Sequence, residues 1–297
     1  MDETTSRAEP ASERNDRSRS PVVGRHLLAA ELKELRVDAG LTHVDLAQRL
    51  GWPQAKVSKI ESARQGAGVE AVMAVADICH ASDRHRDRLV DLAHAARGRG
   101  WWEAYQDVLA PAERTYVGFE SEATTVHVFA SEEVPEQVRT REYAAAVLAA
   151  RGVVDDKVVR RSLEALERRQ RELVAGGVRL ELVLTESALR RSVGGAEVLR
   201  AQQECLLESA GPGVVLRVLP MGRGALPVSA PFALLSFEAD RPPQIAQRPG
   251  PVPGELVQSP AEVAAYRDAM NRLVELALGP EESVRWLREE VVGSAAS

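Results

Sequence analysis

Gln54, Ala55, Ser58 and Lys59 sit on a short segment whose intervening positions, Val57 and Ile60, are apolar. At helical spacing the apolar pair packs inward and turns the other four side chains to one outward face. Such a face suits the edges of nucleic-acid bases. Gln54 can offer a bidentate amide to adenine, Lys59 can reach guanine acceptors or a phosphate, and the Ala55 methyl matches a thymine methyl. Arg49, Lys56 and Arg64 flank the segment and are better placed for the sugar-phosphate backbone, where contacts fix position without reading sequence. Between Arg49 and Arg64 four cations stand against a single acid, Glu61.

That face needs a pair of short helices and a tight turn to hold it. From Gly24 to about Ala96 the apolar spacing is helical throughout. Leu28, Leu32 and Leu35 recur at helical intervals and the pattern stops at Gly40, a residue suited to the position just past a helix end. Thr42 is placed to cap a second helix, with Val44, Leu46, Ala47 and Leu50 as its apolar side and Gly51 closing it. Pro53 suits the first turn of a third helix, and two more are expected over residues 69–79 and 83–95. A short helix, a glycine turn and a second short helix form the layout that lays a reading helix in the major groove.

Gly40-Leu-Thr42, Leu46-Ala47, Leu50-Gly51, Val57-Ser-Lys-Ile-Glu61 and the helix after Gly68 resemble the XRE (Cro/repressor-like) helix-turn-helix family over roughly residues 25–95. The resemblance implies that Gln54, Ala55 and Lys59 read bases while Thr42, His43 and Lys56 contact phosphates. It also implies a partly buried ion pair between Arg36 and Glu61 that ties the first helix to the third. His43 stands where the family more usually has glutamine, which would make phosphate affinity depend on pH. A regulator of this kind would bind double-stranded DNA as a homodimer on an inverted repeat.

The whole chain is larger than that domain. Its 297 residues are about twice the usual domain size, and 44% hydrophobic with 28% charged residues describes a soluble globular protein. No apolar run approaches the ~18 residues of a membrane helix, and residues 1–20 lack a signal-peptide core, so a cytoplasmic location is expected. The net charge of −6 is uneven: −1 over residues 1–20, +2 over 21–100 and −7 over 101–297. The positive balance therefore falls on the segment with the reading face. Cys79 and Cys205 read as reduced core residues.

After Trp101 short β-type runs appear at residues 124–129, 178–184, 214–219 and 232–237, with helical stretches at 140–150, 156–175, 195–209, 260–278 and 280–292. Strands alternating with helices predict a mixed α/β sheet. The expected fold class is α+β multidomain, an N-terminal all-α five-helix helix-turn-helix domain plus a C-terminal mixed α/β sheet domain. Its boundaries would be a disordered tail over 1–20, the DNA-binding domain over 21–96, a linker over 97–115 and a regulatory and dimerisation domain over 116–293.

Tyr116-Val-Gly-Phe-Glu120, Val134-Pro135, Arg139-Thr-Arg-Glu-Tyr143, Arg168-Arg-Gln170, Leu184-Thr-Glu-Ser-Ala-Leu189, Val218-Leu-Pro220 and Pro231-Phe-Ala-Leu-Leu235 keep one order along the chain. That order resembles the C-terminal domain of actinobacterial antitoxin-like, WhiJ-like regulators, over about residues 115–288. The resemblance implies a transcriptional regulator, often encoded beside a small partner protein that modulates it, with no catalytic residue in the domain. Two blocks depart from the pattern. Residues 134–140 are polar where the family is Gly-Leu-Leu-like, and the strand expected after Phe237 has become Gln244-Ile-Ala-Gln-Arg-Pro-Gly250.

Glu120, Arg139, Arg141, Glu186 and Arg190 are the candidates for a polar effector cleft; surface charge and strand-end pairing are the competing reading of the same residues. The six histidines form no metal-ligand spacing, and no Gly-x-Ser-x-Gly elbow occurs. Neither a cofactor, a metal nor an enzymatic activity is expected. An antitoxin-like module that sequesters a small partner, with DNA binding only autoregulatory, is the alternative function.

Overall fold

A computed structural model describes residues 20–238, 244–248 and 255–295. The expected N-terminal tail lies outside them, save for Ser20. The chain divides between Gly98 and Arg99 into two compact units.

The first unit is all helical: α1 (Pro21–Asp38), α2 (His43–Leu50), α3 (Gln54–Glu61), α4 (Val69–Ile78) and α5 (Asp83–Ala95). Its core gathers Leu28, Leu32, Leu46, Val57 and Ile60, positions picked out by helical spacing, with Val72, Leu89 and Leu92 from the two later helices, all nearly inaccessible. With so few aromatics the close packing falls to Leu, Val and Ala.

The second unit is a mixed sheet with helices. A 3₁₀ turn (Trp101–Tyr105) and α6 (Pro111–Glu120) precede β1 (Thr125–Ala130); a 3₁₀ turn (Glu136–Val138), α7 (Arg141–Ala150) and α8 (Asp156–Gly176) lead to β2 (Arg179–Thr185). Then come α9 (Glu186–Arg190), α10 (Ala196–Ser209), β3 (Val214–Leu219), β4 (Phe232–Ser236), β5 (Ile245–Arg248), β6 (Glu255–Val257), α11 (Pro260–Leu276) and α12 (Pro280–Ala295). The sheet order is β3-β2-β1-β4-β5-β6. β1, β2 and β3 run parallel, with Val128 opposite Leu182 and Leu182 opposite Leu216. β4 is antiparallel to β1, and β5 and β6 continue antiparallel. Parallel neighbours need crossover helices, which is why α7–α8 and α9–α10 fall between the first three strands. Each of those strands has a half-buried polar residue along it, His127, Glu181 and Arg217, and only its carboxyl end is a continuous buried stretch. The outer edge of β3 is closed by the α11–α12 junction: Leu278 N–H donates to the Val218 carbonyl at 2.8 Å, and Val218 N–H donates to Ser283 Oγ at 2.9 Å.

One expectation is corrected. The segment 97–115 is folded over much of its length: Trp102 is buried, Arg114 donates to Glu103 at 2.9 Å, and α6 begins at Pro111. Within the block that departs from the family pattern, residues 245–248 form a paired strand. Ile245 and Ala246 are buried and pair with Leu235 and Leu234, so the polar substitutions there spare the two positions that face the core.

Candidate nucleic-acid interface

Local chemistry builds the α2–turn–α3 unit. The Thr42 side chain accepts from the Asp45 N–H at 3.2 Å, while Asp45 Oδ2 accepts from the Thr42 N–H at 2.8 Å and its hydroxyl at 2.6 Å. This reciprocal box satisfies donors that a helix start leaves open. Those hydrogen bonds hold the Asp45 carboxyl below the usual carboxylate range. α2 ends at Gly51, whose φ of +64° lies in the left-handed region that favours glycine. The chain then turns through Trp52 and Pro53 into α3. Ala47, Val57 and Ile60 are buried between the helices, which leaves Gln54, Ala55 and Lys59 exposed and Ser58 half-buried on the outer side.

Arg36 fixes α3 from behind. Its Nε and Nη2 each donate to Glu61 at 2.8 Å and its Nη1 donates to the Leu41 carbonyl at 2.7 Å. The hydrogen bonds to Glu61 push the guanidinium above its ordinary value. This bidentate pair ties α1 to the end of α3 and to the loop before α2.

The flanking residues differ in how available they are. Arg49 and Arg64 are exposed, and like Gln54 and Lys59 their side chains make no hydrogen bond or ion pair among the described residues. Lys56 is half-buried with its Nζ 3.7 Å from the centre of the Trp52 ring, a cation–π contact. Two residues assigned to phosphates are engaged inside the protein. The Thr42 hydroxyl already donates to Asp45, and His43 Nε2 lies 2.9 Å from Glu61 Oε2 and 3.4 Å from Arg36 Nη2. Asp45 and Trp52 went unremarked in the sequence, although Thr42-His-Val-Asp45 carries the spacing of a capping box.

The five effector-cleft candidates do not converge. Arg141 pairs with Glu167, and Glu186 pairs with Arg190, which also reaches Glu290. Arg139 donates to the Val134 carbonyl and to Glu133. Glu120, 1% exposed, is clamped by Arg169: Nε donates at 2.5 Å and Nη2 at 2.7 Å, and Gln137 Nε2 adds a third bond at 2.7 Å. Arg169 Nη1 also donates to Glu136. Burial alone lowers the Arg169 value, but Glu120 and Glu136 more than offset it and raise the guanidinium above its ordinary range. Sequence reasoning missed Arg169 as the centre of this cluster. The available signal was its place in the apolar stripe of α8, between Leu166 and Leu173.

Residues 27–89 match the family described as "Helix-turn-helix domain", which makes this a DNA-binding regulator in class. Residues 113–289 match the family described as "Domain of unknown function (DUF5753)", and because that match spans more than half of the chain, the protein belongs to this family. None of the curated proteins and none of the solved structures compared with the chain matches it.

Proposed function

We propose that the protein is a sequence-specific transcriptional regulator that reads an inverted-repeat operator through residues 53–61 and works without catalysis. The observation that carries this reading is the contrast around α3. Arg36, Glu61, Val57 and Ile60 are engaged inward, while the side chains of Gln54, Lys59, Arg49 and Arg64 make no hydrogen bond or ion pair among the described residues. Gln54 and Lys59 supply base contacts, with Ala55 and Ser58 beside them; Arg49, Arg64 and Lys56 supply phosphate contacts. Thr42 and His43 can join only by giving up part of their bonds to Asp45 and Glu61.

A single reading helix touches few base pairs, so the regulator acts as a homodimer with half-sites about one helical turn (~34 Å) apart. Residues 116–293 supply dimer contact and respond to a partner or effector, and the site of action is the cytoplasm. Selection of bound DNA from a random pool tests this reading: enrichment of an inverted repeat with that spacing is expected, and a pool without enrichment overturns it. The charge of −7 over residues 101–297 favours a second reading, an antitoxin-like module holding a small basic partner. Pull-down from the native host with and without that region separates the two.

A further inference from the structure

The second unit holds a partly open cavity of about 770 Å³, within the roughly 300–1,000 Å³ of small-molecule sites. Its place in the sheet is telling. β1 is the strand at which the parallel set β3-β2-β1 meets the antiparallel set β4-β5-β6. The cavity lies at the carboxyl end of β1, on Phe129, Ala130 and Ser131, beside Phe232 at the start of β4. Open α/β sheets leave a crevice at such carboxyl ends where the strand order reverses, and ligands settle there.

Two chemistries line it. Leu148 from α7, Leu163 and Leu166 from α8, and Phe129 and Phe232 are apolar. Glu136, Gln137 and Arg139 come from the segment after β1, and Arg169 from α8. The arginines of the lining are already taken: Arg169 by Glu120 and Glu136, Arg139 by Glu133 and, at 4.0 Å, by Glu136, and Arg151 by Glu133. An anionic ligand would have to displace a protein carboxylate. The Arg139 and Arg169 side chains are 8% and 10% exposed, whereas Glu136 keeps 46% of its side chain open. Desolvation pushes Glu136 up, but Arg169, Arg139 and Arg151 outweigh it and hold this carboxyl below its ordinary range. It is therefore an ionised acceptor with unused lone pairs. Acids also outnumber bases on the described lining, with Glu113, Glu132, Glu133 and Glu136 against three arginines.

We propose that this cavity binds a small amine, with a ring-sized apolar body against Leu148, Leu166 and Phe232 and a protonated nitrogen on Glu136. The proposal rests on reading this unit as the regulatory one, and it names the chemistry of the regulator's ligand.

The test is calorimetric titration of the full chain, without DNA, with three probes that share an indole and a two-carbon arm: tryptamine, tryptophol and indole-3-propionate. Tryptamine should bind about tenfold more tightly than tryptophol, the weight of one charge-assisted hydrogen bond, and indole-3-propionate more weakly than either. Glu136→Gln should bring tryptamine down to the level of tryptophol and leave tryptophol unchanged. Leu148→Trp, which fills the apolar side, should weaken both. Equal binding of the propionate and the amine, an amine preference that survives Glu136→Gln, or no binding by any of the three overturns the proposal. Because no DNA is present, that failure would leave the operator reading standing, and failure of operator selection would leave a positive titration standing.

Discussion

Each unit contains a buried arginine clamped bidentately by a buried glutamate, Arg36 on Glu61 in the first and Arg169 on Glu120 in the second. The surroundings differ. Arg36 ties α1 to α3, neither of which starts with a side-chain cap, and Glu61 has His43 as a further partner at 2.9 Å. Arg169 joins α6, the segment after β1 and α8, and Glu120 has the Gln137 amide as its other partner. Similar chemistry thus serves two ends. In the first unit it is a rivet behind a surface on which Arg49, Lys59 and Arg64 make no ion pair among the described residues, and in the second it forms part of the wall of a cavity.

The largest expected effect comes from cutting the second clamp. Arg169→Ala leaves a carboxylate at 1% exposure without its counter-charge, held by the Gln137 amide, which costs about 3–5 kcal/mol. Urea unfolding should show that loss. Arg36→Ala should cost less, because His43 remains on Glu61; equal losses would erase the distinction drawn between the two clamps. Gly51→Ala ranks next. Its φ is +64° and no atom lies within 4 Å of where a Cβ would sit, so the cost is backbone conformation alone, roughly 1–2 kcal/mol. A neutral result would mean that the turn between α2 and α3 is not held in that conformation. The smallest effect is acid sensitivity from the α2 cap. Thr42 holds the Asp45 carboxyl below the usual range, so its contribution is full above that range and is lost as pH falls through the lowered value. Asp45→Asn should flatten that part of the acid unfolding curve, and an unchanged curve would remove the cap from the account.

The first unit was largely legible because its signals are local. Thr42, Gly51 and Pro53 punctuate the chain where α2 begins, where it ends and where α3 begins, and α5 runs over the very residues its spacing predicts. α6 was hidden because its start has no side-chain cap of its own: Ala110 contributes only a backbone N–H, which donates to Glu113 at 2.7 Å. β5 is four residues long and ends in Gln247 and Arg248, too short and polar for period-two reading. The partners of the effector-cleft candidates were illegible for a different reason. Charged residues can be found in sequence, but their partners come from far along the chain: Glu120 meets Arg169 across 49 positions, and Arg190 meets Glu290 across 100. Only the fold brings those pairs together.

The central claim is that the open edge of α3 reads DNA, and equilibrium binding to the selected operator tests it most directly. Gln54→Ala and Lys59→Ala should each weaken specific binding by about 1–3 kcal/mol and relax discrimination at one base position. Arg49→Ala, by comparison, should weaken all sequences alike and reduce the salt dependence. An unchanged affinity and footprint in the Gln54→Ala/Lys59→Ala double variant would contradict the account.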